Sequence, residues 1–422
     1  MSILKNKQLK ILNEESDQIL PQKYTKDTID PNYLKEQNIN QAINEAIIKA
    51  NNPPNSPKKP HNEISSKIPK ISKNPPKFKD LFNNKDELNL YLKDNCPQFL
   101  EKFELLDFLK SGSAGSVIKA HPKIRGNKVP SNKLIVLKFL YNEKNKKGAQ
   151  DHSEICIHGA LKSKNFPAIY GYYKIGDNSC IAMEMCFYGD IENFKKNVIK
   201  RVPLSETLIC YIFGGLVDAV YYLHTHNKII HMDIKQQNVL VDDYLNIKLT
   251  DFSVSLCYKN LKKIELPMVG TCYYMSPEVL RKETINASYA SCIDVYSIGV
   301  LLYLLSFCDY PYKLREVDNK NYGQILKNIE TNELEFPKFN DNSKIFIDLL
   351  KNCLNKDIKK RYNIYQLRNH PFYQAYQIIL NEKEKLYNAG KFVIDLMVDN
   401  ILNYNEFIKE KEKELEEKKY NK

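Results

Sequence analysis

The sequence has no CxxC pair and no Cys/His spacing suited to zinc, although it contains ten cysteines. Their scatter gives no disulfide framework, so free and mostly buried thiols in a reducing compartment, cytosol or nucleus, are expected. The start, MSILKNKQLKIL, lacks the long apolar stretch of a secretory signal. Long hydrophobic runs are absent too. The longest, 297 to 308, is too short to span a bilayer and reads as a buried core helix, so no membrane partner is expected. No internal repeat and no nucleic-acid recognition motif is visible, which leaves nucleic acid an unlikely partner despite the basic N-terminus.

What is present is enough apolar residue, 43% of 422, to fill a real core. That length suits two or three domains, or one two-lobed enzyme with extensions. The net charge of +12 suits acidic partners without choosing among them.

Residues 1–98 are rich in Lys, Asn and Pro and are expected to form a largely disordered extension. The stretch 51–79, with two Pro-Pro pairs, reads as a flexible linker. Two short patches have helical spacing: Ile39, Ala42, Ile43, Ala46 and Ile47, then Leu81, Leu88 and Leu92, the second suited to packing on the folded part. From 103 to 187 β-branched and aromatic runs separated by polar turns predict strands, with one helix around 153–161. From 188 to 372 the pattern is helical, with long helices over 205–224 and 292–308. A sheet-rich unit followed by a helix-rich unit predicts an α+β, bilobal fold. The segment 374–422 reads as a charged helical tail, solvated over 409–419.

Several segments suit phosphate chemistry. Gly112 and Gly115 in Ser111-Gly112-Ser113-Ala114-Gly115-Ser116-Val117 let the backbone approach phosphate oxygens. Lys138 ends the strand-like run Ile135-Val136-Leu137-Lys138 and needs a carboxylate to hold it. Glu154, about a turn into the next helix, suits that task, whereas Glu143 lies too near in sequence. The strongest segment is His231-Met232-Asp233-Ile234-Lys235-Gln236-Gln237-Asn238. Asp233 can orient or accept the proton of an attacking hydroxyl. Lys235 can stabilise a transferred phosphoryl group, and Asn238 offers a neutral oxygen to a metal. Asp251, in Thr250-Asp251-Phe252-Ser253, supplies the charged oxygen that Mg²⁺ prefers.

In this order the segments resemble the protein-kinase signature set. The resemblance continues in Gly270-Thr271-Cys272-Tyr273-Tyr274-Met275-Ser276-Pro277-Glu278 and in Asp294-Val295-Tyr296-Ser297-Ile298-Gly299, the start of a buried central helix. Arg361 resembles the arginine that pairs with Glu278. It covers 103–372 and implies transfer of the γ-phosphoryl of ATP to protein substrates. ATP would be bound by Gly112, Gly115, Val117, Lys138, Glu154, Met183 as gatekeeper, Glu184, Cys186, Asp190 and Leu240. Asn238 and Asp251 would hold Mg²⁺, with Asp233 and Lys235 catalytic. Lys235 and Gly270-Thr271 resemble serine/threonine rather than tyrosine kinases. A dual-specificity kinase and a weak pseudokinase scaffold remain alternatives, and the Wee-type kinases share His-Met-Asp.

The sequence departs from the family pattern at five places. Lys110 stands at the first glycine position of the phosphate loop. Val136 replaces an alanine against adenine and predicts a reshaped pocket, with overpacking worth about 1–3 kcal/mol unless neighbours adjust. Ser253 replaces the glycine after Asp251-Phe252 and should restrict backbone flipping there. Gln237 stands where a glutamate often reads basic substrate residues. Met232 replaces the arginine that clamps a phosphate on the activation segment, and between Leu256 and Gly270 there is no Ser or Thr, only Tyr258. Activity independent of phosphorylation in that segment is therefore expected, with control passing to a docking partner of the N-terminal extension or to abundance.

Overall fold

Alternation along the strands of the first half sorts side chains onto two faces, and both faces are used. The structure, a computed structural model, describes residues 85–111, 115–123, 133–141, 150–176, 178–199, 203–337, 342–385 and 402–420. The first helical patch, Gly112 and most of the proline-rich extension lie outside these residues. Helices α1 (Lys85–Asn95) and α2 (Pro97–Lys102) lead into strands β1 (Phe103–Ser111), β2 (Gly115–Pro122) and β3 (Ile135–Leu140). Helix α3 (Gln150–Ala160), β4 (Ile169–Ile175) and β5 (Asn178–Glu184) complete the N-lobe, whose antiparallel sheet has the order β1-β2-β3-β5-β4.

Register fixes the two faces. Val117 pairs with Lys138, Val136 with Met183 and Lys138 with Ile181, so these residues share one face. The opposite face carries Ile118, Leu137, Phe139, Cys180 and Ala182, all buried. It is covered by Leu88, Leu92 and Phe99 of α1 and α2. Residues 85–98, within the extension expected to be largely disordered, thus include helices packed on the sheet. An apolar sheet face needs a cover, and this part of the extension supplies it.

The C-lobe begins with β6 (Gly189–Asp190), α4 (Ile191–Phe194) and α5 (Glu206–Tyr222), which Ser205 caps by accepting from Leu208 N. Next come β7 (Ile229–Ile230), β8 (Val239–Val241), β9 (Ile247–Leu249), β10 (Leu256–Cys257) and β11 (Lys263–Glu265). Helix α6 (Pro277–Leu280) and β12 (Thr284–Asn286) precede the central helix α7 (Ala290–Phe307). Helices α8 (Tyr322–Thr331), α9 (Lys344–Cys353), α10 (Ile364–Asn369), α11 (Pro371–Lys385) and α12 (Leu402–Tyr420) finish the chain. The α5 and α7 regions each hold an 18-residue window apolar enough to cross a membrane, more than the run 297–308 suggested. Those windows are 83% and 94% buried inside the lobe, as core helices are.

Helix α12 is docked at its start, while Lys409, Glu410, Lys413, Glu416 and Glu417 beyond it stay exposed. Tyr404 and Ile408, one turn apart, are buried against the lobe. The Tyr404 hydroxyl donates to Glu206 at 2.9 Å, and Glu412 accepts from the Lys344 backbone N–H at 2.6 Å, at the start of α9.

Candidate active site

Lys138 reaches the site because β3 is rigid and its cleft face holds alternate residues. Its ammonium pairs with Glu154 of α3 and lies 2.8 Å from Asp251 Oδ1. Burial works against the charge on Lys138, but the two carboxylates outweigh it and raise the pKa above the ordinary lysine value. Burial also opposes the charge on Asp251, yet the ammonium of Lys138 holds that carboxyl well below the usual range. Glu154 is pushed up by burial against the pull of Lys138. The partner expected for Lys138 is therefore in place, and Asp251 joins it.

The catalytic-loop segment is pinned from behind. Asp294, fully buried on α7, accepts from the backbone N–H groups of His231 (2.9 Å) and Met232 (3.1 Å) and contacts His224 Nε2 at 2.7 Å. These bonds hold Met232 at φ 70, a conformation that costs a non-glycine residue free energy. Sequence reasoning assigned Asp294 no role. Its N–H partners lie more than sixty residues away and are visible only in the fold.

Around Asp233 four donors converge. Thr271 donates to Oδ1 through its backbone N–H (2.8 Å) and its hydroxyl (2.7 Å). Lys235 Nζ (2.7 Å) and Asn238 Nδ2 (3.0 Å) donate to Oδ2. Lys235 also donates to the Thr271 hydroxyl at 2.7 Å. Thr271 is thus a site residue that the sequence reading had used only as a family mark. Gly270 makes its approach possible: its φ is +101, and a β-carbon there would lie 2.3 Å from the Met232 carbonyl oxygen.

Asn238 and Asp251 are brought together by the β8–β9 ladder, where Val239 faces Leu249 and Thr250 N donates to Asn238 O at 3.0 Å. The Asn238 amide nitrogen is committed to Asp233, which leaves its carbonyl oxygen to accept. With the Asp251 carboxylate this is a hard-oxygen donor set, and it fits Mg²⁺. The Ser253 side chain adds to the pull that holds the Asp251 carboxyl low, which a glycine could not do. Ser253 itself is not among the positive-φ residues, so its β-carbon is unstrained.

The residues expected around the nucleotide fall into place unevenly. Val117 and Met183 share the cleft face with Lys138. Leu240 is half-buried between the buried Val239 and Val241, on the opposite side of β8 from the core. Val136 packs against the cluster of Met183, Ile181 and Leu140. At Gly115 a β-carbon would lie 2.2 Å from the Phe139 carbonyl oxygen, so close strand packing also demands glycine there. Glu184 points its carboxylate to the buried Lys248 (3.0 Å) and Ala168 N (3.0 Å). Asp190 caps α4, accepting from Asn193 N at 2.8 Å. Cys186 is buried, and that burial raises its thiol pKa.

Tyr258, the one residue between Leu256 and Gly270 expected to be open to modification, is buried and sits 3.1 Å from His224 Nδ1. Gln237 hydrogen-bonds Glu192. Glu278 and Arg361 form a bidentate buried pair at 2.6 and 3.1 Å, with the guanidinium over the Tyr296 ring.

These features define a phosphotransferase cleft of the protein-kinase type. A family model described as Protein kinase domain matches residues 103–373, and the chain belongs to that family. Among curated proteins it is similar to serine/threonine-protein kinase dst2 of Dictyostelium discoideum, 30% identical over 310 residues, which cover 73% of this chain and 24% of the relative. Calcium-dependent protein kinase 5 of Plasmodium falciparum is 31% identical over 288 residues, 65% of this chain and 46% of the relative. Mitogen-activated protein kinase kinase kinase kinase 3 of Mus musculus is 31% identical over 278 residues, 64% and 29%. The chain therefore spans less than half the length of these relatives.

Proposed function

We propose that this chain is a catalytically active protein serine/threonine kinase that needs no phosphate on its activation segment. The observation that carries the reading is the joint assembly of Lys138 with Glu154 and Asp251, and of Asp233 with Lys235, Thr271 and Asn238. Lys138 binds the α and β phosphates of ATP. Val117, Met183 and Leu240 close on the adenine from the two lobes. Asn238 and Asp251 would hold Mg²⁺, which when bound offsets phosphate charge. Asp233 orients the substrate hydroxyl and takes its proton, while Lys235 steadies the transferred group. The contact of Thr271 with both Asp233 and Lys235, and the relatives' names, favour serine/threonine substrates.

Independence from loop phosphate rests on two observations. Met232 is buried where a phosphate-clamping arginine would reach out, and Tyr258 is buried as well. The unpaired cysteines fit a cytosolic or nuclear location, and the residues before Lys85 are the candidate docking segment for a regulatory partner. The test is Mg²⁺-dependent phosphate transfer to a generic protein substrate, run beside Asp233→Asn. The wild type should transfer phosphate and the variant should lose about 10²–10⁴-fold in rate. Equal signal from the two would remove Asp233 from the mechanism.

A further inference from the structure

We propose that His158 is a positioning residue: its imidazole ties helix α3 to the Pro167 carbonyl and thereby holds Glu154 on Lys138 without help from a phosphate. The proposal rests on the kinase reading above and names how its key ion pair is kept in place. His158 follows Glu154 by four residues on α3, so the two side chains share one face. The His158 ring lies 5.1 Å from the Phe252 ring. Phe252 in turn packs on His231, with ring centres 5.3 Å apart. An aliphatic side chain could supply that packing.

What His158 adds is a polar bond. Its Nε2 lies 3.0 Å from Pro167 O, and both groups are buried. A carbonyl only accepts, so Nε2 carries the proton. Burial favours the neutral ring and lowers its pKa to about 4. The receiving segment is itself anchored. Asn165 O accepts from Leu249 N at 2.8 Å, Asn165 Nδ2 donates to Gly215 O at 3.3 Å, and Lys162 N donates to the Tyr222 hydroxyl at 3.1 Å. Ala168 pairs with Glu184 through Glu184 N at 2.8 Å. The bond from His158 therefore fastens α3 to a segment held by β5, β9 and α5. Where loop phosphate controls a kinase, part of its effect is to settle this helix; here a buried hydrogen bond does so permanently.

The experiment compares wild type, His158→Leu and His158→Gln as full chains. It reads kcat, KM for ATP, and hydrogen exchange of residues 154–160 without nucleotide. Leu keeps the packing and removes the donor, whereas Gln restores an N–H. Leaving a buried carbonyl without its donor should lower both kcat and exchange protection about tenfold in the Leu variant. The Gln variant should recover most of both. In a Glu154→Gln background His158→Leu should add no further loss of kcat, because the two act through one contact. Unchanged exchange in His158→Leu, equal loss in Leu and Gln, or multiplying effects in the double variant would overturn the proposal. An inert wild type that still shows the exchange difference would instead overturn the kinase reading and leave the tether standing.

Discussion

Ser253 shows how one atom group alters the site. It follows Asp251-Phe252, and Asp251 is the carboxylate held by Lys138 at 2.8 Å. Replacing it with glycine removes the β-carbon and frees the backbone beside Phe252. Ser253→Gly should bind inhibitors that require a flipped Asp-Phe pair about threefold more tightly, a gain of the size of glycine's extra backbone freedom. Equal dissociation constants for the two proteins, measured by calorimetry, would count against it. At this scale the catalytic core was readable in the sequence. Asp233, Lys235 and Asn238 sit within six residues, and each chemistry calls for its own residue type. Asp294, His158 and Lys248 were not readable. Their roles depend on partners 62, 9 and 64 residues away, respectively. The burial of Tyr258 was not readable either, since only the fold shows that its hydroxyl meets His224.

The activation segment is held as an element of secondary structure. Strand β10 pairs with β7, and β11 pairs with β12, with Ile264 opposite Ile285 and both buried. Leu266 N extends the ladder to Glu283 O at 3.0 Å, and Ala287 N closes it on Lys262 O at 3.0 Å. These bonds tie the activation segment to its neighbours through backbone groups alone. Ile264→Ser should cost about 2–4 kcal/mol of local stability by removing a buried side chain and burying a hydroxyl. Limited proteolysis should then cut within 256–270, and kcat should fall, while the overall melting temperature moves little. A segment as protease-resistant as the wild type would show that the ladder does not hold it. The ladder was not legible in advance, because Lys263-Ile264-Glu265 is too short to announce a strand. The long helices were, and their caps at Ser205 and Cys308 lie within a residue or so of the expected bounds.

Across the whole molecule three kinds of fastening combine. Asp294 fixes the catalytic loop from the central helix, the β10–β12 pairings fix the activation segment, and the α3 contacts fix the Lys138–Glu154 pair. The two-lobed α+β architecture followed from the change of periodicity near residue 188. The ends of the chain followed in part. Leu88 and Leu92, whose helical spacing suggests packing, close the N-lobe sheet, and Tyr404 and Ile408 seat the start of the tail on the C-lobe. At the tail two apolar residues a turn apart dock a helix whose following residues are mostly charged. The central claim is that the site is assembled without phosphate. It is tested most directly by phosphatase-treated protein made in bacteria, checked by mass spectrometry to be unphosphorylated over 256–270, and assayed for phosphate transfer. Activity equal to that of untreated protein is expected; protein inert until phosphorylated in that segment would contradict this claim.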